Sequence, residues 1–449
     1  MADFKKFNYK NSQELSEEIN ELGVNIDAND DLAPLVQRKT IGMHILPNPL
    51  VIHPMEGCDG TENGLPSDLT FRRYKRFARG GAGLIWFEAT AVVPEGRANP
   101  RQLLINRETL PHFKKLVAMV SKEAEDSMGI GHKPVCILQL THSGRYSKPY
   151  GKPQPIIAFN DANLDARSGV EPDTKLVSDD YLDRLQGKYV EAACLAREAG
   201  FDGVDIKSCH RYLLSELLAG HTRHGKYGGS FENRTRFLLE TVDKVRSITG
   251  EGFILAVRMN AFDGLPYPYG WGVSREDENL PDLSEPKQLV QLLNKKGVSV
   301  VSITAGNPYY KKPYITRPFD VPVAGAPFPD EHPLESVSRL FLLAREIQKA
   351  VPKVAVVGGG YSWLRQYSAN AAAAHIAKGD VSLVGFGRFA FAYPDFAKDI
   401  LECGSLDKSK VCIACSKCTQ IMRDKGRTGC VIRDSEIYLP IYKQGREGF

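Results

Sequence analysis

The stretch "SDDYLDRLQGKYVEAACLAREAGFDGVDIKS", residues 178–208, joins a helix pattern to a strand pattern. Ser178 and Asp179 are residue types that favour the start of a helix, and Gly200 stands where a glycine commonly ends one. The short apolar run "GVDIKS" (203–208) follows almost at once. A helix that leads directly into a buried strand is typical of α/β folds with parallel strands.

The same alternation of helix and strand extends along the chain. Seven other short runs are apolar without alternation, as expected for parallel strands that are covered on both faces. They are "PLVIHP" (49–54), "GLIWFE" (83–88), "VCILQL" (135–140), "FILAVRM" (253–259), "VSVVSIT" (298–304), "KVAVVGG" (353–359) and "VSLVGFG" (381–387). Eight strands separated by helical intervals predict a closed (β/α)8 TIM barrel of the α/β class, with an open doubly wound sheet as the alternative.

The chain divides into three parts on its sequence pattern. We predict a helical N-terminal extension at 1–40, a barrel at 41–402 and a C-terminal cysteine-rich segment at 403–449. The net charge of +4, from 58 basic and 54 acidic residues, is too balanced to favour a nucleic-acid or membrane partner. No run approaches the roughly 18 apolar residues of a membrane span, and the N-terminus has no signal-peptide core. We therefore expect a cytoplasmic protein. We also expect a homo-oligomer.

Four of the nine cysteines lie close together near the C-terminus. Cys412, Cys415, Cys418 and Cys430 have the spacing C-x2-C-x2-C-x11-C. In the cytoplasm, cysteines are more often metal ligands or catalysts than disulfides. Zinc sites usually pair two separated C-x2-C units, whereas three closely spaced cysteines with a distant fourth suit an iron–sulfur cluster. The spacing predicts a 4Fe–4S cluster, with structural zinc or unligated thiols as the alternatives.

Two glycine-rich turns follow the seventh and eighth strands. Gly358, Gly359 and Gly360 follow the seventh strand, and Gly387 and Arg388 follow the eighth. In (β/α)8 barrels phosphate is commonly held at these two positions. Glycine lets backbone N–H groups approach a phosphate closely, and arginine can pair with it bidentately. A single glycine turn has a simple structural explanation, but the two together predict a phosphate site.

Several motifs occur in an order that is more specific than any one of them. They are "HPMEG" (53–57), "RGGAGLIWFEATAVVPEGR" (79–97), "LQLTHSGR" (138–145), "AGFDGVDI" (199–206), "YGGSFENRTRF" (227–237), "VGGG" and "VGFGR". With these motifs and the four cysteines, the chain resembles the Old Yellow Enzyme family of FMN-dependent NADH:flavin oxidoreductases. More narrowly, it resembles the iron–sulfur branch that includes 2,4-dienoyl-CoA reductase and trimethylamine dehydrogenase.

The resemblance implies that FMN lies across the barrel mouth. Pro54, Met55 and Ala89 would pack along the isoalloxazine, and Gln139 would hydrogen-bond its pyrimidine edge. Arg258 would stand beside N1, where a fixed cation stabilises the negative charge of reduced flavin. A structural salt bridge is the alternative for Arg258.

The segment "IKSCHRYLLSELLAG" (206–220) carries the catalytic residues that the resemblance implies. Tyr212 matches a tyrosine that protonates the substrate carbon, a role that a phenol with a pKa of ~10 suits. His210 matches a residue that hydrogen-bonds the substrate carbonyl. Lys207 and Arg211 depart from the usual histidine and glycine, and would form with His210 a cationic cluster that polarises a carbonyl or binds an anion.

Each of these assignments has a structural alternative. Tyr212 could be a core residue, and Lys207 could be buried beside a carboxylate, with Asp205 or Glu216 as its partner. Glu56 also stands beside the expected flavin, where many relatives have a threonine, cysteine or glycine. These departures concern the substrate rather than the binding of flavin.

The resemblance implies an ene-reductase that reduces a C=C bond conjugated to a carbonyl. Loops rich in proline and tyrosine at 261–272 and 304–318 suit a flat apolar ligand, such as a steroid-like or flavonoid-like enone. No G-x-G-x-x-G fingerprint follows the barrel, so the C-terminal dinucleotide-binding domains of the branch are expected to be missing.

The electron source follows from that expectation. A separate protein, a ferredoxin or an NAD(P)H-oxidising flavoprotein, would supply electrons through the cluster, and direct reduction by NAD(P)H is the alternative. The other functions left open are an amine or ether dehydrogenase of the trimethylamine dehydrogenase type and an electron-transfer flavoprotein with no organic substrate.

Overall fold

The chain begins with a helix and a hairpin outside the barrel. The computed structural model describes residues 4–447, so the outermost residues of the predicted extension and tail, 1–3 and 448–449, lie outside the described part. Helix α1 (Ser12–Glu21) is followed by a 3-10 turn at Ala33–Leu35. Strands β1 (Lys39–Ile41) and β2 (His44–Leu46) then pair in antiparallel fashion.

The hairpin closes the N-terminal end of the barrel. Ile41 and Leu46 pack in one cluster with Val51, Leu84 and other apolar side chains from the first residues of the barrel strands. The domain boundary predicted at residue 41 therefore falls inside β1, and the three-part division of the chain stays a prediction.

Eight parallel strands follow one another around a closed ring, and the last pairs with the first. They are β3 (Leu50–Ile52), β4 (Leu84–Ala91), β5 (Val135–Thr141), β6 (Gly203–Ile206), β7 (Ile254–Phe262), β8 (Val300–Ala305), β9 (Ala355–Gly358) and β10 (Leu383–Phe386). Each one lies within or overlaps a run that the sequence predicts as a strand. The predicted (β/α)8 TIM barrel is confirmed.

Helices surround the barrel and connect its strands. They are α2 (Asp68–Arg79), α3 (Leu110–Met128), α4 (Asp165–Ser168), α5 (Asp179–Ala199), α6 (Leu213–Leu218), α7 (Phe231–Thr249), α8 (Ser284–Lys295), α9 (Pro333–Ala350), α10 (Ser368–Lys378), α11 (Arg388–Ala392), α12 (Phe396–Cys403), α13 (Lys417–Arg423) and α14 (Ser435–Arg446). Further 3-10 turns span Pro94–Gly96, Gly144–Tyr146, Pro313–Ile315 and Tyr361–Tyr367. Within residues 4–447, no helix combines the length and the apolar character needed to cross a membrane.

Helix α5 shows how the sequence sets the ends of these elements. The Ser178 hydroxyl accepts a hydrogen bond from the Tyr181 N–H at 3.1 Å and thus caps the helix. Gly200 ends it in the left-handed region, with φ of 96°, which a glycine adopts without steric cost. Strand β6 begins three residues later, as the sequence pattern predicts.

A buried carboxylate ties four strands together beneath the barrel mouth. Asp205 in β6 accepts hydrogen bonds from the indole N–H of Trp86 at 3.1 Å, the Gln139 amide at 2.6 Å and the Arg258 backbone N–H at 2.7 Å. Burial raises the pKa of Asp205 to about 6, and the bonds from Gln139 and Arg258 oppose that rise. This network fixes β4, β5, β6 and β7 at the level where a ligand would enter.

The C-terminal segment folds back over the mouth of the barrel. The Thr428 N–H donates to the Gly57 carbonyl at 2.6 Å, and the Asp320 N–H donates to the Ala414 carbonyl at 3.0 Å. Asp434 forms an ion pair with Arg72 of α2 at 2.7 Å. The cysteine-bearing tail therefore helps to build the end of the barrel where enzyme sites of this fold lie.

Candidate active site

A cavity of about 990 Å³, its open entrance included, occupies the C-terminal mouth of the barrel. We call it the inner cavity. It brings together eight residues that the sequence analysis selects, which are Pro54, Met55, His210, Arg258, Gly359, Gly387, Arg388 and Cys418. These residues come from five strand ends or loops and from the tail, so only the folded barrel assembles them.

Eight other predicted site residues lie outside the wall of the inner cavity in the described part of the chain: Ala89, Gln139, Lys207, Tyr212, Gly358, Cys412, Cys415 and Cys430. The Gln139 amide nitrogen already donates to Asp205 at 2.6 Å. The Ala89 carbonyl accepts from the side chain of Gln102 at 3.1 Å. The flavin contacts expected of Ala89 and Gln139 therefore stay predictions.

The strand ends approach one another too closely for side chains at two glycine positions. A Cβ atom on Gly385 would lie 2.0 Å from Nε2 of His53, and one on Gly387 would lie 3.0 Å from Sδ of Met55. Glycine at these positions lets β10 pack against the end of β3. Because Gly385 and Gly387 carry no side chain, their backbone atoms are exposed at the cavity wall.

Three guanidinium groups at the inner cavity are not paired with a carboxylate in the described chain. Within residues 4–447, Arg258, Arg317 and Arg388 form no ion pair with a carboxylate. The Nε atoms of Arg258 and Arg317 and Nη1 of Arg388 are buried without a hydrogen-bond partner. Burial, with a further contribution from the Arg388 charge, lowers the pKa of Arg317 to about 10. The cavity is thus prepared for an anionic group.

A second group of side chains stands beside the inner cavity. Lys207 Nζ lies 3.6 Å from the Glu56 carboxylate and 3.9 Å from the centre of the Tyr212 ring. The Tyr212 hydroxyl lies 3.4 Å from Glu56 and 3.2 Å from the Tyr309 hydroxyl. Burial, then the charge of Glu56, raises the pKa of Tyr212 well above its usual value. Tyr212 therefore stays protonated at neutral pH and is able to donate a proton.

The carboxylate partner expected for Lys207 needs correction. The expected partners are Asp205 and Glu216, but Lys207 pairs with Glu56. Glu216 is instead bound by Arg145 at 2.8 Å. Because Glu56 is 151 positions away in the chain, no local pattern could identify it.

The expected cluster of Lys207, His210 and Arg211 is not formed. His210 and Arg211 both adopt left-handed backbone conformations, with φ of 62° and 60°, and this turn sends their side chains in different directions. The Arg211 guanidinium lies fully buried between Asp161 at 3.1 Å and Asp263 at 3.4 Å. These contacts favour a structural role for Arg211 over a contact with the substrate.

His210 remains at the inner cavity, with Nε2 3.5 Å from the Thr304 hydroxyl. Burial, followed by the charges of Arg258 and Lys207, holds its pKa well below the usual value. The imidazole is therefore neutral, with one N–H available for a hydrogen bond.

The four cysteines of the tail line one small cavity of about 380 Å³, together with Arg388. Backbone N–H groups donate to two of the sulfurs, from Ala414 to Cys412 at 3.5 Å and from Arg433 to Cys430 at 3.3 Å. Four cysteines at one small cavity, two of them with N–H donors to the sulfur, are the residue types that an iron–sulfur cluster requires.

Two further observations concern this cavity. Cys418 lines both it and the inner cavity, so the two spaces adjoin. Within the described residues, no three His, Cys, Asp or Glu side chains form an arrangement that could hold a metal ion. The cluster stays a prediction.

Sequence reasoning missed two residues of the site. Arg317 and Tyr309 both lie in the loop after β8, which attracts notice only for its proline and tyrosine content. Tyr309 belongs to the expected aromatic wall, although its bond to Tyr212 is visible only in the fold. No motif marks Arg317.

The barrel has a cavity at the C-terminal ends of its strands, which is where the active sites of TIM-barrel enzymes lie. Residues 35–267 match the family described as the NADH:flavin oxidoreductase / NADH oxidase family. The chain belongs to this family of oxidoreductases, and its predicted membership of the Old Yellow Enzyme family is confirmed.

Individual relatives agree with this family. The NADH oxidase of Thermoanaerobacter brockii is 28% identical over 380 residues, which are 84% of this chain and 52% of that protein. The chain thus spans about half the length of this relative.

Solved structures show the same fold. A 2-naphthoyl-CoA reductase in complex with 2-naphthoyl-CoA has a TM-score of 0.71 at 20% identity, over 92% of this chain and 58% of that one. An old yellow enzyme homologue from Zymomonas mobilis has a TM-score of 0.60 at 21% identity, over 83% and 94% of the two chains.

The buried position of Arg211 leads to a test. Arg211→Met leaves Asp161 and Asp263 without their cation, so we expect the free energy of unfolding to fall by about 3–5 kcal/mol. Urea unfolding at pH 7 measures this change. Arg107→Met, at a solvent-exposed ion pair with Glu198, serves as the control and should leave the midpoint unchanged. An unfolding midpoint for Arg211→Met equal to that of the wild type would contradict the structural role.

Proposed function

We propose that this chain is an FMN-dependent NAD(P)H oxidoreductase that reduces a C=C bond conjugated to a carbonyl. The observation that carries the proposal is the inner cavity, where Arg258, Arg317 and Arg388 face one space with no carboxylate partner in the described chain. This space lies at the strand ends where barrels of this kind hold phosphate.

The residues of the inner cavity suit the parts of FMN. Gly359, Gly387 and Arg388 would hold the phosphate, because a backbone cradle and a free guanidinium nitrogen meet there. Pro54 and Met55 would contact the ring system, and Arg258 would stand at its anionic edge. When bound, FMN supplies a two-electron carrier that accepts hydride from NAD(P)H and passes hydride to the alkene.

The protein would provide the remaining groups for alkene reduction. The neutral imidazole of His210 would donate a hydrogen bond to the substrate carbonyl and draw electron density from the double bond. Tyr212 would deliver a proton to the carbon next to the carbonyl, which completes the addition of hydride and proton. Lys207, 3.9 Å from the ring centre, and the Tyr309 hydroxyl would stabilise the phenolate that forms.

The function is tested with the anaerobic holoprotein in two steps. NADPH or NADH should bleach the flavin absorbance, and a cyclic enone should then restore it. Flavin that is reduced by amines and ignores enones would favour the amine dehydrogenase, and flavin that reacts only with redox proteins would favour an electron-transfer role. Either result would overturn the proposed ene-reductase.

The role of Tyr212 has its own test. Tyr212→Phe should leave flavin reduction intact but slow reoxidation by an enone by about 10²–10⁴-fold, the usual effect of losing a general acid. Stopped-flow absorbance of the prereduced protein measures this rate. Tyr442→Phe, on α14, is the matched control and should react like the wild type. If Tyr212→Phe reoxidises at the wild-type rate, the proton comes from water or from Tyr309.

We also propose that Cys412, Cys415, Cys418 and Cys430 hold a 4Fe–4S cluster, since their spacing suits one and all four residues line one cavity beside the inner cavity. A separate ferredoxin or NAD(P)H-oxidising flavoprotein would deliver electrons through it, as an alternative to direct reduction by NAD(P)H. A cytoplasmic location and a homo-oligomeric state stay predictions from the sequence.

Chemical analysis decides the cluster. Protein purified without oxygen should contain about four iron atoms and four acid-labile sulfides per chain. Cys415→Ser should lose most of both, because it removes one of the proposed ligands. Cys403→Ser, at an exposed cysteine outside the motif, should retain them. Stoichiometric zinc without sulfide would refute the proposal.

A further inference from the structure

A second large cavity opens beside the inner cavity on the side of the tyrosines. Its volume is about 1200 Å³ with the entrance included, and we call it the outer chamber. Glu56 and Met422 line both cavities, so the two spaces adjoin. Tyr309, whose hydroxyl lies 3.2 Å from that of Tyr212, also lines the outer chamber. Tyr309 and Glu56 therefore connect the surroundings of Tyr212 with this chamber.

The wall of the outer chamber is strongly basic. It includes Arg101, Lys148, Arg423 and Lys425, and none of these four forms an ion pair within residues 4–447. Glu56 is the one acidic residue in the described wall, and Lys207 already neutralises it at 3.6 Å. Four positive charges thus share a concave surface that provides no free negative charge.

Two of these residues, Arg101 and Lys148, are partly buried, whereas Arg423 and Lys425 are exposed at the rim of the chamber. The four residues come from the segments after β4 and β5, from the last residue of α13 and from the tail that follows it. The Arg101 guanidinium donates to the Cys58 carbonyl at 2.9 Å and to the Lys425 carbonyl, so it is fixed without being neutralised. Burial, and then the charge of Lys425, lower the pKa of the half-buried Lys148. Like charges held together in this way are stabilised by an anion.

We propose that the outer chamber binds an anionic group, a carboxylate or a phosphate, of the molecule whose reacting atoms lie at Tyr212. This inference rests on the proposed function, in which both NAD(P)H and the enone enter the mouth of the barrel. The anion belongs either to an enone substrate with an acidic substituent or to a phosphate of NAD(P)H. Both sources share the chemistry that Lys148 and Arg101 recognise.

Direct binding tests the site without any turnover. FMN-loaded protein is titrated with inorganic pyrophosphate in a calorimeter at low salt, so that the phosphate of FMN already occupies the inner cavity. Lys148→Met should weaken binding by about 10- to 100-fold, the effect of losing one charged hydrogen bond. Lys115→Met, at an exposed lysine on α3, is the matched control and should bind like the wild type. Equal affinity in all three proteins, or no binding by any, would overturn the site.

Kinetics with two pairs of reactants then identifies the source of the anion. Dissociation constants are measured for NADPH and NADH during flavin reduction, and for a cyclic enone with and without a carboxylate during reoxidation. A rise for the coenzymes in Lys148→Met assigns the anion to a coenzyme phosphate, and a rise confined to the carboxylated enone assigns it to the substrate. Unchanged dissociation constants for both pairs would overturn the link to the reacting molecule. Flavin reduction by a coenzyme and reoxidation by the neutral enone would still support the proposed function in that case. Flavin that reacts with neither reactant would instead refute the proposed function, and pyrophosphate binding would then decide the site alone.

Discussion

The site depends on the pairing of β10 with β3, which closes the barrel. Leu50, Val51 and Ile52 lie in register with Val384, Gly385 and Phe386, and the His53 N–H continues the ladder to the Phe386 carbonyl at 3.0 Å. This contact is possible only because Gly385 leaves room for the His53 ring. It places the end of β3, with Pro54 and Met55, against the turn at Gly387 and Arg388 that follows β10. Without closure, the inner cavity would lose one of its two facing walls.

Charge is used in two distinct ways around the mouth. Some cations form ion pairs with carboxylates. Arg145 pairs with Glu216, and Arg211 pairs with Asp161 and Asp263, and these contacts favour a structural role for both arginines. Lys207 pairs with Glu56 and lies beside the tyrosines. The cations of the inner cavity and the outer chamber have no such partner in the described chain. Because burying an unmatched charge costs free energy, the buried guanidinium nitrogens of the inner cavity mark a place where a ligand is expected to supply negative charge. The balanced composition of the whole chain conceals this local excess.

Local pattern was sufficient for the fold and for part of the site. The eight strands could be predicted because parallel strands buried on both faces are continuously apolar, and the turns at Gly359 and Gly387 because their position after a strand fixes their place in a barrel. The hairpin at residues 39–46 was missed because its two strands have three residues each and expose Met43 and Ile45. Long-range partners were beyond reach. The pairing of Lys207 with Glu56, and the burial of Arg211 away from His210, depend on the folded backbone and not on neighbouring residues.

The central claim is that the inner cavity holds FMN with its phosphate at the turns after β9 and β10. A crystal structure of the protein purified with its natural cofactor tests this claim most directly. We predict one FMN per chain, with the phosphate against Gly359, Gly387 and Arg388 and the ring system over Pro54 and Met55. A dinucleotide flavin in the cavity, or an FMN phosphate bound elsewhere, would contradict the account.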